Sequence, residues 1–171
     1  MSLFLIGYRA SGKSTVGRIL AERLNKPFVD SDEWIVRRAG KSIREIFAEE
    51  GESGFRDLET AVIREIAALP EHIVALGGGA LNRPENLEAI QASHPQFVYL
   101  HCEAGELAKR IHADPATAAS RPALSHLGGG IEEIQTLLAR REPIWRSVSS
   151  VEIDVTRLTP EQVADAVMRQ Y

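Results

Sequence analysis

Gly7-Tyr8-Arg9-Ala10-Ser11-Gly12-Lys13-Ser14 follows the pattern G-x-x-x-x-G-K-[ST] of a phosphate-binding loop. Its setting gives the match weight. Leu3-Phe4-Leu5-Ile6 ahead of it is a short apolar run suited to a buried strand. Behind it, Val16, Ile19, Leu20, Arg23 and Leu24 recur at helical spacing. A strand, a glycine turn and a helix in that order aim backbone N–H groups and the positive end of the helix at an anion. Lys13 is then placed to reach β- and γ-phosphates, and the Ser14 hydroxyl to ligate Mg²⁺. The candidate nucleotide contacts in the loop are Gly7, Ala10, Ser11, Gly12, Lys13, Ser14 and Thr15.

Outward from the loop, the same alternation continues. Strand-like runs fall at 27–30, 73–76, 96–101 and 151–154. Helical patterns cover 13–24, 32–39, 42–50, 52–68, 84–93, 103–112, 131–148 and 160–170. Short apolar strands alternating with helices predict an α/β fold: a three-layer α/β/α arrangement around a central five-stranded parallel sheet. The 171 residues suit one domain. Two segments interrupt the rhythm. Residues 32–68 are too long for a simple crossover and read as a helical insertion. Residues 113–130 are rich in Ala, Ser, Pro and Gly, carry Arg121, and read as a candidate lid.

The net charge of −4 argues against binding a nucleic-acid backbone, which calls for a basic surface. The single cysteine, Cys102, allows no internal disulfide, and no Cys/His cluster suggests zinc. Cys102 reads as a small apolar residue at a strand end. No signal-peptide pattern and no apolar run of membrane-spanning length is present, so a reducing, cytoplasmic setting is expected.

Phe28-Val29-Asp30-Ser31-Asp32 closes the second strand, where open α/β sheets present their ligand crevice. Alternation along a strand puts Asp30 and Asp32 on one side. One carboxylate could hold Mg²⁺, and the other could orient a hydroxyl or accept its proton. The plainer reading is a helix cap, which is compatible with both. Arg56 and Glu59 lie three apart on one helix, so the glutamate can fix the guanidinium for a carboxylate ligand. Local sequence alone favours an ordinary surface ion pair. Gly77-Gly78-Gly79 directly follows the third strand and would let the backbone approach a ligand, or form a flexible turn. Arg140 and Arg141 precede Pro143, whose kink could aim an arginine into a cleft, although solvated charge is the default. Trp34 could line a substrate pocket or pack in the core. None of the five histidines is assigned chemistry.

In this order the motifs GYRASGKSTVGR, FVDSDEWI, GKSIREIFAEEGESGFRDLE, VALGGGAL, SRPAL, RREPIW and VEIDVT resemble the shikimate kinases. These are P-loop enzymes of the nucleoside-monophosphate-kinase type, and the resemblance covers nearly the whole chain. It implies transfer of the ATP γ-phosphoryl group to the 3-hydroxyl of shikimate, a step of aromatic amino acid biosynthesis, with Mg²⁺ as cofactor. Lys13 and Ser14 would serve the phosphates and Mg²⁺, with Asp30 in the metal's outer shell. Asp32 would contact shikimate hydroxyls as the candidate base. Arg56 and Arg141 would clamp the shikimate carboxylate, backed by Gly77, Gly78 and Gly79. Arg121 would close on the transferring phosphate, and Arg110 and Pro160 would flank the adenine. A monomer is expected, with neither nucleic acid nor membrane as partner. The rival readings are a kinase of another hydroxy acid such as gluconate, and a non-catalytic ATP-binding regulator. Many members carry glycine where this loop has Ala10, so a negative φ or some strain is expected there.

Overall fold

The five apolar runs become five strands: β1 Leu3–Ile6, β2 Phe28–Asp30, β3 Ile73–Ala75, β4 Gln96–His101 and β5 Val151–Asp154. This is a computed structural model, and it describes residues 1–114 and 130–171. All neighbouring strands pair in parallel, in the order β2-β3-β1-β4-β5. Every residue of the central β1 is buried, as expected for a parallel strand covered on both faces. Leu5 lies opposite Ala75 on one side and Val98 on the other. The chain moves from one half of the sheet to the other beside β1, and Ile6 leads straight into Gly7. The phosphate loop therefore starts at the carboxyl end of the middle strand, where such sheets place their ligands.

The helices are α1 Lys13–Leu24, α2 Ser31–Ala39, α3 Ile43–Ala67, α4 Pro84–Gln91, α5 Ala104–Ala113, α6 Ile131–Val148 and α7 Pro160–Met168. They complete the three-layer α/β arrangement. A short 3₁₀ turn, Ala80–Asn82, follows the glycine run. Ser42 with Glu45, and Thr159 with Gln162, form reciprocal capping boxes that start α3 and α7. The separate helices read over 42–50 and 52–68 join as α3, yet Gly51 inside it is non-helical (φ 70°, ψ −175°), so the break falls where the sequence puts it. Helix α6 runs on through Pro143. At Gly17 the fold uses the missing side chain directly, since a Cβ there would sit 2.4 Å from the Phe28 ring.

No helix among the described residues is long and apolar enough to cross a membrane. Apart from Ala113, Asp114 and Gly130, the segment read as a lid lies outside the described residues, and Arg121 with it.

Candidate active site

The loop between β1 and α1 turns through three residues of positive φ: Gly7 (146°), Ala10 (64°) and Gly12 (94°). At Gly7 a Cβ would lie 2.7 Å from the Leu100 carbonyl oxygen, so no side chain fits. At Ala10 the alternative posed by the sequence resolves as strain. The left-handed conformation costs an L-residue about 1–2 kcal/mol, and the loop imposes it here on a residue with a Cβ. The Lys13 ammonium donates to the Gly7 and Tyr8 carbonyl oxygens at 3.0 and 2.7 Å, so it is held inside the loop's own curve.

Ser14 Oγ donates to Asp30 Oδ2, joining the start of α1 to the end of β2. Asp30 Oδ1 accepts from the N–H groups of Asp32 (2.9 Å) and Glu33 (3.3 Å), capping α2. Asp30 thus serves as cap and as a neighbour of the phosphate loop at once. The cap corrects one expectation. The strand stops at Asp30 and Ser31 is already helical, so Asp32 lies in the first turn of α2, not on the strand. Both carboxylates still line one cavity of about 510 Å³, together with Arg9, Lys13, Ser14 and Gly78. That volume is typical of a small-molecule site. A second cavity of about 350 Å³ shares Ala10, Gly12 and Arg110 with it and is walled by Val16, Pro160 and Val163. Arg110 is braced there, donating to the Val155 carbonyl oxygen (3.0 Å) and the Glu106 carboxylate (2.9 Å). An apolar slot beside a fixed guanidinium suits a flat heteroaromatic ring.

In the glycine run, Gly77 and Gly79 are needed for space. None of its residues has a positive φ. A Cβ at Gly77 would lie 2.8 Å from Asp32 Oδ1, at Gly78 3.5 Å from Arg141 Nη1, and at Gly79 2.7 Å from both Nη atoms of Arg56. Each glycine lies against one of the three side chains that the sequence reading singles out for the acceptor, and Gly77 and Gly79 leave the room that theirs require. The Gly77 N–H also donates to Ser31 Oγ (2.9 Å), fixing the run to the start of α2.

Arg56 and Glu59 are not a surface pair. Their side chains are 12% and 2% exposed, with Arg56 Nη1 2.6 Å from Glu59 Oε2. The guanidinium also lies 5.2 Å from the Phe55 ring centroid, and that ring stacks on Phe47. The two adjacent arginines on α6 part company: Arg140 is exposed and Arg141 is buried. Trp145 belongs to the core, while half-buried Trp34 donates to Glu65 (3.1 Å). Cys102 is buried, and burial pushes its thiol pKa up, away from thiolate reactivity. Among the described residues no group of three or more His, Cys, Asp or Glu side chains forms a metal site.

Two charged residues of this region have no role in the sequence reading. Arg9 lines the larger cavity, and its Nη2 lies 4.0 Å from Oε2 of the fully buried Glu133 on α6. They are far apart in the chain. The local hint is a long cation in a loop whose phosphate binding is expected of the backbone and Lys13.

A family model described as "Shikimate kinase" matches residues 9–171. The chain is 40% identical over 167 residues to a shikimate kinase of Rhodopirellula baltica, covering 98% of this chain and 88% of that one. It is 42% identical over 166 residues to a shikimate kinase of Thermobifida fusca, covering 97% and 92%. The structure of a shikimate kinase from Acinetobacter baumannii in complex with shikimate superposes with a TM-score of 0.90 at 32% identity, covering 99% of this chain and 91% of that one.

Proposed function

The chain belongs to the shikimate kinase family, and from that membership we propose that it transfers the γ-phosphoryl group of ATP to the 3-hydroxyl of shikimate, giving shikimate 3-phosphate and ADP. One observation carries the reading beyond membership. Asp32, Arg56 and Arg141 converge on the three glycines at the end of β3, beside the phosphate loop. That arrangement supplies one carboxylate for a hydroxyl and two guanidinium groups for a carboxylate, as a hydroxy acid requires. A regulator that only binds ATP has no use for it.

The family resemblance and the geometry together support the following division of labour. The loop's N–H groups and Lys13 hold and neutralise the nucleotide phosphates. Asp32, in the first turn of α2, orients the acceptor hydroxyl and takes up its proton. Arg56, locked by buried Glu59, and Arg141 anchor the opposite end of the acceptor by its carboxylate. Arg121, in the SRPAL motif, is assigned to the transferring phosphate. Arg110 and Pro160 flank the adenine in the smaller cavity. A loose phosphoryl-transfer transition state needs positioning and charge neutralisation more than covalent help.

A serine hydroxyl and a carboxylate in contact form an all-oxygen donor pair, which fits Mg²⁺, an ion that keeps several waters and binds few protein groups. Ser14 would hold it directly and Asp30 through water, and when bound it supplies charge neutralisation at the phosphates. The working unit is a monomer. The net charge of −4 supports small-molecule partners over nucleic acid, and the one buried cysteine accords with a cytoplasmic setting.

A coupled ADP-release assay with shikimate, gluconate, nucleoside monophosphates and no acceptor tests the reading. ADP release dependent on shikimate alone is the expected result. Release with gluconate in its place, or equal release without acceptor, would overturn it.

A further inference from the structure

Phosphate binding does not require a cation at position 9, yet the loop holds one there and partly buries it. The Arg9 side chain is 11% exposed, and Nη2 lies 4.0 Å from Oε2 of Glu133. Its Nε is buried without a hydrogen-bond partner among the described residues. Glu133 is fully buried in the first turn of α6, the same helix that brings Arg141 to the acceptor side. Gly78 marks where loop and helix approach each other. A Cβ there would lie 3.4 Å from the Gly7 carbonyl oxygen, 3.5 Å from Arg141 Nη1 and 3.8 Å from the backbone nitrogen of Arg9. Taking a guanidinium and a carboxylate out of water is unfavourable unless opposite charges stay close, so burial keeps the two together.

We propose that Arg9 is a positioning residue for the acceptor: its ion pair with Glu133 sets the phosphate loop against α6, and thereby sets Arg141 against the bound hydroxy acid. The inference rests on shikimate as the acceptor. Main-chain N–H groups and Lys13 hold the nucleotide whatever stands at position 9, so nucleotide affinity does not depend on the tie. The distance between donor phosphate and anchored acceptor does.

The test compares the whole protein with Arg9→Met, Arg9→Lys, Glu133→Gln and the Arg9→Met/Glu133→Gln double variant. It measures kcat and KM for shikimate, the Kd for ADP by calorimetry, and the thermal midpoint. The wild type is assayed first. An inactive wild type overturns the acceptor reading and this inference with it, whereas an active wild type isolates the tie. Arg9→Met should lower kcat/KM for shikimate by about 10- to 100-fold, the scale of a misplacement near 1 Å. Its Kd for ADP should stay within about twofold of wild type, and Arg9→Lys should recover part of the loss. Glu133→Gln should move the same way, and the double variant should lose no more than the worse single one, because both act through one contact. Unchanged kcat/KM in Arg9→Met, an equal loss of ADP affinity, or additive losses would each overturn the tie. If Glu133→Gln fails to fold, the two Arg9 variants decide alone, because a merely structural role lowers the midpoint without separating shikimate KM from ADP Kd.

Discussion

Replacing Gly79 by alanine would insert a Cβ 2.7 Å from both terminal nitrogens of Arg56. Ordinary contact begins near 3.4 Å, so the guanidinium must retreat by at least about 0.7 Å. It cannot take its partner along freely, since the Glu59 side chain is 2% exposed and holds Arg56 at 2.6 Å. The backbone accepts alanine, because Gly79 sits at φ −102° and ψ 0°. Gly→Ala at a compatible site stabilises by about 0.4–1 kcal/mol through the unfolded chain. Pushing Arg56 off its rotamer costs about 0.5–1.5 kcal/mol. The two nearly cancel, so the variant should fold with a thermal midpoint close to wild type. The acceptor should register the change. A fork displaced by most of an ångström no longer meets a carboxylate squarely, and shikimate affinity should fall by about 10- to 100-fold, or roughly 1.4–2.7 kcal/mol. ADP affinity should be unchanged, because the loop is not touched. Calorimetric titration of each ligand, with a thermal melt as control, reads all three quantities. A folded variant with unchanged shikimate affinity would refute the place of Arg56 in the carboxylate clamp. An equal loss of ADP affinity would show that the phosphate loop had been disturbed instead.

Lys13→Ala should reduce turnover by about 10²–10³-fold, the scale of losing one preorganised donor to a developing anion, and wild-type-like activity would sink the loop assignment. Asp32→Asn keeps the shape but removes the base, so the single-turnover rate should fall by about 10²–10⁴-fold, and an undiminished rate would remove Asp32 from proton transfer. Ala10→Gly should raise stability in chemical denaturation by roughly 0.5–1 kcal/mol, the left-handed penalty less the entropy that glycine adds to the unfolded chain. A destabilised variant would contradict the strain at that position.

The P-loop and its flanking strand and helix were legible because their signals are local: two glycines, a Lys-Ser pair, an apolar run and a helical period within a few turns. The break at Gly51 was legible for the same reason. Asp32 reads both as the close of the strand and as the start of the helix over 32–39, because the deciding event is a side-chain cap. Asp30 accepts two N–H groups and closes the strand at itself, so that Ser31 already opens α2. Arg56 with Glu59 reads identically as a surface pair or a buried one, since i, i+3 spacing carries no information about what covers it. Arg140 and Arg141 are likewise equivalent in sequence, and only the face of α6 turned toward Gly78 tells them apart.

By itself the sequence determined the parallel α/β class, the phosphate loop at the end of the first strand and, through its ordered motifs, the family. Each of these rests on residues that act within a few positions of one another. The strand order β2-β3-β1-β4-β5, the three-way match of Gly77, Gly78 and Gly79 to Asp32, Arg141 and Arg56, and the meeting of Arg9 with Glu133 were decided only by the tertiary structure. They depend on which distant segments pack together, and on the space left between them once they have.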